Sequence, residues 1–187
     1  MKPRTKHYTL AIAGVLCVLL AGVIVFVYSG AYDIGADAPH TRIVFSIMQL
    51  LRERSIEARS SGIRVPPLDD PQLILKGAGQ YAAMCVQCHL TPEKKDSELR
   101  AGLYPQPPDL SRTRVDPQRA FWIIKHGVKM SAMPAWGASH DDGTIWSMVA
   151  FLRKLPDMTP AQYKDVVSRA PPDEDMEGMD MRGHEHP

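Results

Sequence analysis

Cys85, Cys88 and His89 stand together as C-x-x-C-H in YAAMCVQCHLTP. No other residues in the chain carry so distinctive a chemistry. Two thiols three positions apart can each add to one vinyl group of a porphyrin, and the histidine after the second thiol then falls beneath the iron as an axial ligand. Other uses of paired cysteines do not account for that histidine. A structural zinc site needs two further thiolate or imidazole ligands at finger-like spacing, whereas the remaining cysteine, Cys17, lies in an apolar run. A thioredoxin-like pair belongs beside a βαβ pattern, and the sequence shows none. The motif predicts one covalently bound haem c, attached through Cys85 and Cys88 and ligated by His89.

The surrounding elements must position these groups. Pro71 to Val86 reads as a helix that delivers the motif at its end. Asp116-Pro117 opens another, with an acidic cap and a proline in the first turn, and Gly127 closes it. A third, from about His140 to Leu155, carries Ile145, Trp146, Val149 and Leu152 on one face. Thr159-Pro160 starts a short helix, PAQYKDVVSRA, which Pro171-Pro172 ends. No strand run is convincing, so the soluble part is expected to be all-α with long loops. The haem domain is placed at residues 71–157.

Ahead of it, residues 32–70 form a connecting region. Within it, Thr41 to Arg59 sets Ile43, Ile47, Leu50, Leu51 and Ile56 close to helical spacing, with Arg42, Arg52, Arg54 and Arg59 on much of the other side. Packing of this amphipathic helix on the haem domain is the expectation. Lipid headgroups or a partner subunit are the alternatives.

Residues 1–31 have the form of a membrane anchor. Lys2, Arg4, Lys6 and His7 precede a run from Thr9 to Ala31 without a single charge. Roughly 20 helical residues cross a bilayer's hydrocarbon core, so the run is long enough to span and longer than the apolar part of a cleaved signal. Basic residues before it, and Asp33 and Asp37 after it, place the N-terminus in the cytoplasm. The rest would then face the periplasm, as a single-pass protein of a bacterial inner membrane. The formal net charge of +1 excludes the strongly basic field of a nucleic-acid binder. At the other end, residues 158–187 comprise the short helix and an acidic tail of disordered composition. Met176, Met179, Met181, His184 and His186 of that tail would also suit copper.

From Gly77 to Leu155 the chain resembles the class I cytochromes c, in a membrane-anchored monohaem form. Gly77 and Tyr81 lie eight and four residues before the first cysteine, where that family crosses its N-terminal and C-terminal helices. Met148, Phe151 and Leu152 match the crossing partner. The resemblance implies that the carbonyl of Pro108, in PPDL, accepts the ring N–H of His89, with Pro107 as a neighbouring candidate and Leu110 lining the pocket. It also implies that Met133, in the MPAWG stretch, is the second iron ligand, with Met130 as the competitor three residues earlier. Trp122 is expected to pack on the haem. His126 and His40 are unfavoured ligands, His126 because a histidine ahead of a closing glycine ordinarily serves the helix end.

The function implied is transfer of single electrons, not catalysis. Donors would be a periplasmic dehydrogenase or a quinol-oxidising complex, and acceptors an oxidase or a soluble carrier, as part of a respiratory chain. Dedicated service as the cytochrome subunit of one dehydrogenase is the alternative, ahead of a haem sensor or peroxidase with a labile distal methionine. Lys94, Lys95, Lys125 and Lys129 surround the motif and the methionine loop. Across residues 70–157, eleven Lys and Arg against nine Asp and Glu argue against a strongly basic docking face.

Overall fold

Six of the described helices start where a short acidic or hydroxyl side chain takes up a free backbone N–H, four of them the main helices in or beside the haem domain. Asp70 accepts from the Gln72 amide at 2.9 Å, Asp116 from Arg119 at 3.0 Å, Asp141 from Thr144 at 2.7 Å and Thr159 from Gln162 at 3.3 Å. Three of them, Asp70, Asp116 and Thr159, are followed by proline, whose missing donor costs nothing in a first turn. The computed structural model describes residues 3–171, and the Met/His tail therefore lies outside the described residues.

The helices are α1 (Pro3–Tyr28), α2 (Arg42–Ser60), α3 (Pro71–Met84), α4 (Val86–His89), α5 (Glu98–Ala101), α6 (Pro117–His126), α7 (Asp142–Lys154) and α8 (Pro160–Ser168), with short 3₁₀ turns at Trp136–Ala138 and Leu155–Asp157. No strand occurs among the described residues. Two boundaries differ from expectation. The first helix of the domain stops at Met84 rather than Val86, and α7 begins at Asp142 because Asp141, not His140, caps it. The one-turn α5 was not anticipated. Ser97 caps it through the Arg100 amide.

The chain divides into two units, Met1–Pro39 and His40–Pro187. In the first, Lys6–Tyr28 of α1 is long and apolar enough to cross a membrane. In the second, α3 crosses α7 at Gly77, so closely that a β-carbon there would collide with the carbonyl of Ser147. Ala78 and Tyr81 of α3 are buried against Ile145, Met148, Val149, Phe151 and Leu152 of α7. The Tyr81 and Phe151 rings lie 5.4 Å apart, and Tyr163 of α8 adds a third ring 6.3 Å from Phe151. From α6, Phe121 stacks on Trp146 at 4.1 Å. Fully burying such side chains stabilises by about 1.5–3 kcal/mol each. The α3–α7 crossing is thus the rigid platform from whose end the motif projects.

Helix α2 packs on α6, but not through the apolar positions that the periodicity singles out. Of these only Ile56 is buried. Contact runs instead through Glu53 and Glu57, which both accept from the Arg119 guanidinium, Glu57 at 2.9 Å. The apolar spacing of Ile43, Ile47, Leu50 and Leu51 is real, but it faces away from the domain.

Candidate haem site

The end of α3 sets the geometry of the motif. The Cys85 amide still bonds back to the Tyr81 carbonyl at 2.9 Å, and the backbone then restarts in α4, with the His89 amide on the Cys85 carbonyl at 2.8 Å. One helical turn therefore carries both thiols and the imidazole. Cys85 and Cys88 are free and half-buried. Burial pushes the Cys85 thiol up to about 12, and the neighbouring Cys88 adds to the effect. A redox-active pair needs a thiol lowered towards neutrality, so this environment suits attachment rather than thiol exchange.

His89 is fixed by the loop before Leu110. The Pro108 carbonyl lies 2.9 Å from Nδ1, and since a carbonyl can only accept, Nδ1 carries the proton and Nε2 keeps its lone pair. Burial holds the imidazole below its ordinary value, the Pro108 bond works the other way, and the Arg100 charge lowers it further. A neutral imidazole with a fixed tautomer is what a metal ligand requires. Of the two prolines, Pro107 is otherwise engaged: its carbonyl accepts from Arg100 Nη2 at 3.1 Å.

The residue after the histidine carries a constraint of its own. Leu90 is buried with φ at 66°, a left-handed conformation that costs a branched side chain of order 1–3 kcal/mol. The Tyr81 hydroxyl holds it there, its single proton shared between the Leu90 carbonyl at 2.7 Å and the His89 carbonyl at 3.1 Å. The Leu110 amide also bonds to the His89 carbonyl, at 3.1 Å. Burial pushes the Tyr81 phenol upward, so it remains a donor.

The methionine loop is sewn to the end of α6. Gly127 ends that helix with φ at 64°, and a β-carbon there would come within 2.7 Å of the Met133 carbonyl. The Val128 amide donates to that same carbonyl at 3.1 Å. Ser131 Oγ donates to the Val128 carbonyl at 2.8 Å and accepts from the Met133 amide at 3.2 Å. Met133 is half-buried and packs against the core, as does Trp136. Met130 is 84% exposed on a residue with φ at 57°.

The other sequence candidates fall around this frame. Trp122 is half-buried, its ring 5.1 Å from that of the exposed His126. His40 lies against Tyr104 at 5.3 Å. Lys125 pairs with Asp142 at 2.6 Å, whereas Lys94, Lys95 and Lys129 are exposed.

The residues present fit a haem. Two thiols on one turn and a neutral imidazole with a free Nε2 are donors that a c-type haem would take, and a soft thioether on a tethered loop is of the type that would serve as its second iron ligand. Arg100 supplies a feature the sequence did not reveal. Its Nε is buried without a hydrogen-bond partner, a cationic donor beside His89 suited to a propionate. Only the fold brings Arg100 and His89 together, so spacing gave no signal for it. Among the described residues no group of three or more His, Cys, Asp or Glu gathers as a separate metal site.

Fold and donor set define a cytochrome c domain. The family model described as cytochrome C oxidase, cbb3-type, subunit III matches residues 72–152, and the domain so matched belongs to the class I cytochrome c family, whose members are haem c electron-transfer proteins. No curated protein and no solved structure matches the chain.

Proposed function

We propose that this protein is a membrane-anchored, monohaem c-type cytochrome whose haem domain lies in the periplasm and passes single electrons. The observation that carries the proposal is the C-x-x-C-H turn with the His89 tautomer fixed by Pro108. Cys85 and Cys88 would hold the haem covalently, His89 and Met133 would ligate the iron, and Arg100 would meet a propionate. Bound there, haem c supplies a one-electron ferric/ferrous couple. A thioether donor favours the ferrous form and raises the potential. With His89 and Met133 both given to the iron, no coordination position would be left for substrate, which supports a carrier rather than an enzyme. The apolar α1 supports a single anchor, and the basic residues ahead of it support the periplasmic placement. The matched family model describes an oxidase subunit, which favours an oxidase, or a carrier serving one, as acceptor. The donor would be a dehydrogenase or a quinol-oxidising complex.

Visible spectra of the full chain, with and without carbon monoxide, test this. A low-spin c-type spectrum unmoved by carbon monoxide is expected. A high-spin spectrum that shifts would instead favour a sensor or peroxidase. Met133→Ala is expected to open the iron to carbon monoxide and lower the potential, while Met130→Ala leaves both unchanged. The reverse result would reassign the ligand.

A further inference from the structure

Helix α2 is amphipathic in two directions. Its inner side meets the domain: Phe45 lies against Tyr104 at 6.3 Å, Phe45 and Met48 line a shallow groove with Met130 and Ser131, and Glu53 and Glu57 hold Arg119. On the other side Ile43, Ile47, Leu50 and Leu51 recur at i, i+4, i+7 and i+8. They are 74%, 61%, 61% and 63% exposed. Four large aliphatic side chains aligned on one face and left in water are a docking surface rather than scattered exposure.

We infer that this face lies in the interfacial layer of a lipid bilayer. The charges favour lipid over protein. The helix has four arginines, Arg42, Arg52, Arg54 and Arg59, against two glutamates, and both glutamates are turned to Arg119. Arg54 continues the apolar stripe one turn on and Arg42 stands at the helix start, so the exposed face offers aliphatic side chains and guanidinium groups without an acid. That is the composition of a helix that seats among anionic headgroups, its arginines reaching outward to phosphate. Covalent connection favours the same occupant. Thirteen residues, 29–41, join the end of α1 to α2, and fully extended they reach at most about 45 Å. If α1 spans a bilayer, as proposed above and as this inference requires, the stripe is tethered within reach of that surface. Held there, α2 would set the orientation of the domain, because its inner side is held to α6 through Arg119 and borders the methionine loop across the groove.

The test uses the haem-loaded full chain in vesicles of phosphatidylethanolamine and phosphatidylglycerol. Nitroxide labels are placed singly at Ile47→Cys, Leu51→Cys, Lys95→Cys and Val18→Cys in a Cys17→Ser background. Labels at 47 and 51 are expected to collide several-fold more with oxygen than with a water-soluble nickel chelate, and the label at 95 the reverse. If 47 and 51 are open to the chelate while 18 is in lipid, the α2 inference fails alone. If 18 is also open to the chelate, the anchor itself fails and takes the inference with it. If 47 and 51 are shielded from both probes, and their spectra sharpen on dilution with unlabelled chain, a second copy covers the face and the lipid assignment is overturned.

Discussion

The Tyr81 hydroxyl joins two features that the sequence keeps separate, the helix crossing and the ligand. Its ring packs on Phe151 at the α3–α7 contact, while its oxygen bonds the carbonyls of His89 and Leu90. Replacing it by phenylalanine keeps the ring but leaves the buried Leu90 carbonyl without this donor and frees a residue held at positive φ. Tyr81→Phe is expected to destabilise the domain by about 1–3 kcal/mol. A lower denaturant midpoint at unchanged slope would show it, and an unchanged midpoint would mean that the hydroxyl is not what holds the Leu90 turn. At this scale the sequence was informative where chemistry depends on spacing: the two thiols, the adjacent imidazole, and a methionine followed by proline. It was silent on Tyr81 as a donor, on Ser131 and on Arg100. The partners of Tyr81 and Ser131 are backbone carbonyls and amides, and Arg100 reaches Asp96 and the Pro107 carbonyl with its Nε left over. No apolar period encodes such contacts.

At the scale of elements, the close approach of α3 to α7 depends on one missing side chain. Alanine at position 77 would press its β-carbon into the Ser147 carbonyl, and a backbone atom inside a buried helix cannot swing aside. Gly77→Ala is therefore expected to cost about 1–3 kcal/mol or more, measured by chemical denaturation. Gly143→Ala is the contrasting case, since its nearest neighbour would be the Asp141 carboxylate at 3.5 Å. There the better helix propensity should leave stability unchanged or raise it by up to about 1 kcal/mol. Equal gains at both positions would mean that helix propensity and not the crossing governs. Helix existence was legible from caps, prolines and apolar periods. Which face of α2 packs was not, because periodicity reports that a face is apolar without reporting what covers it. The inner side instead carries Ile56 and Ser60, both buried, together with the two glutamates that reach Arg119.

For the whole molecule, that arginine is the link between the haem domain and the helix that follows the anchor. Arg119 is capped into α6 by Asp116 and reaches Glu53 and Glu57 together, while Gln118 on the same helix donates to the Ile63 carbonyl at 2.5 Å. Beyond this clamp α2 is held to the domain by Ile56 and Ser60 near its end, both buried, and more loosely by Phe45 and Met48. Partly exposed ion pairs contribute little singly, up to about 1 kcal/mol, but here two of them converge on one guanidinium at the middle of the helix. Arg119→Gln should leave the haem spectrum and the potential unchanged, since no ligand or ligand-bearing loop touches the clamp. Local opening of α2 should become easier by up to about 1 kcal/mol, or roughly fivefold faster amide exchange, around Met48 to Arg54. Amides next to Ser60 should stay protected, because their anchorage is apolar burial and not charge. Hydrogen exchange read residue by residue decides between the two. A uniform rise along the whole helix would mean that α2 moves as one rigid rod hinged at Gly62, and exchange unchanged at every position would mean that Phe45, Met48 and Ile56 hold it without the ion pairs.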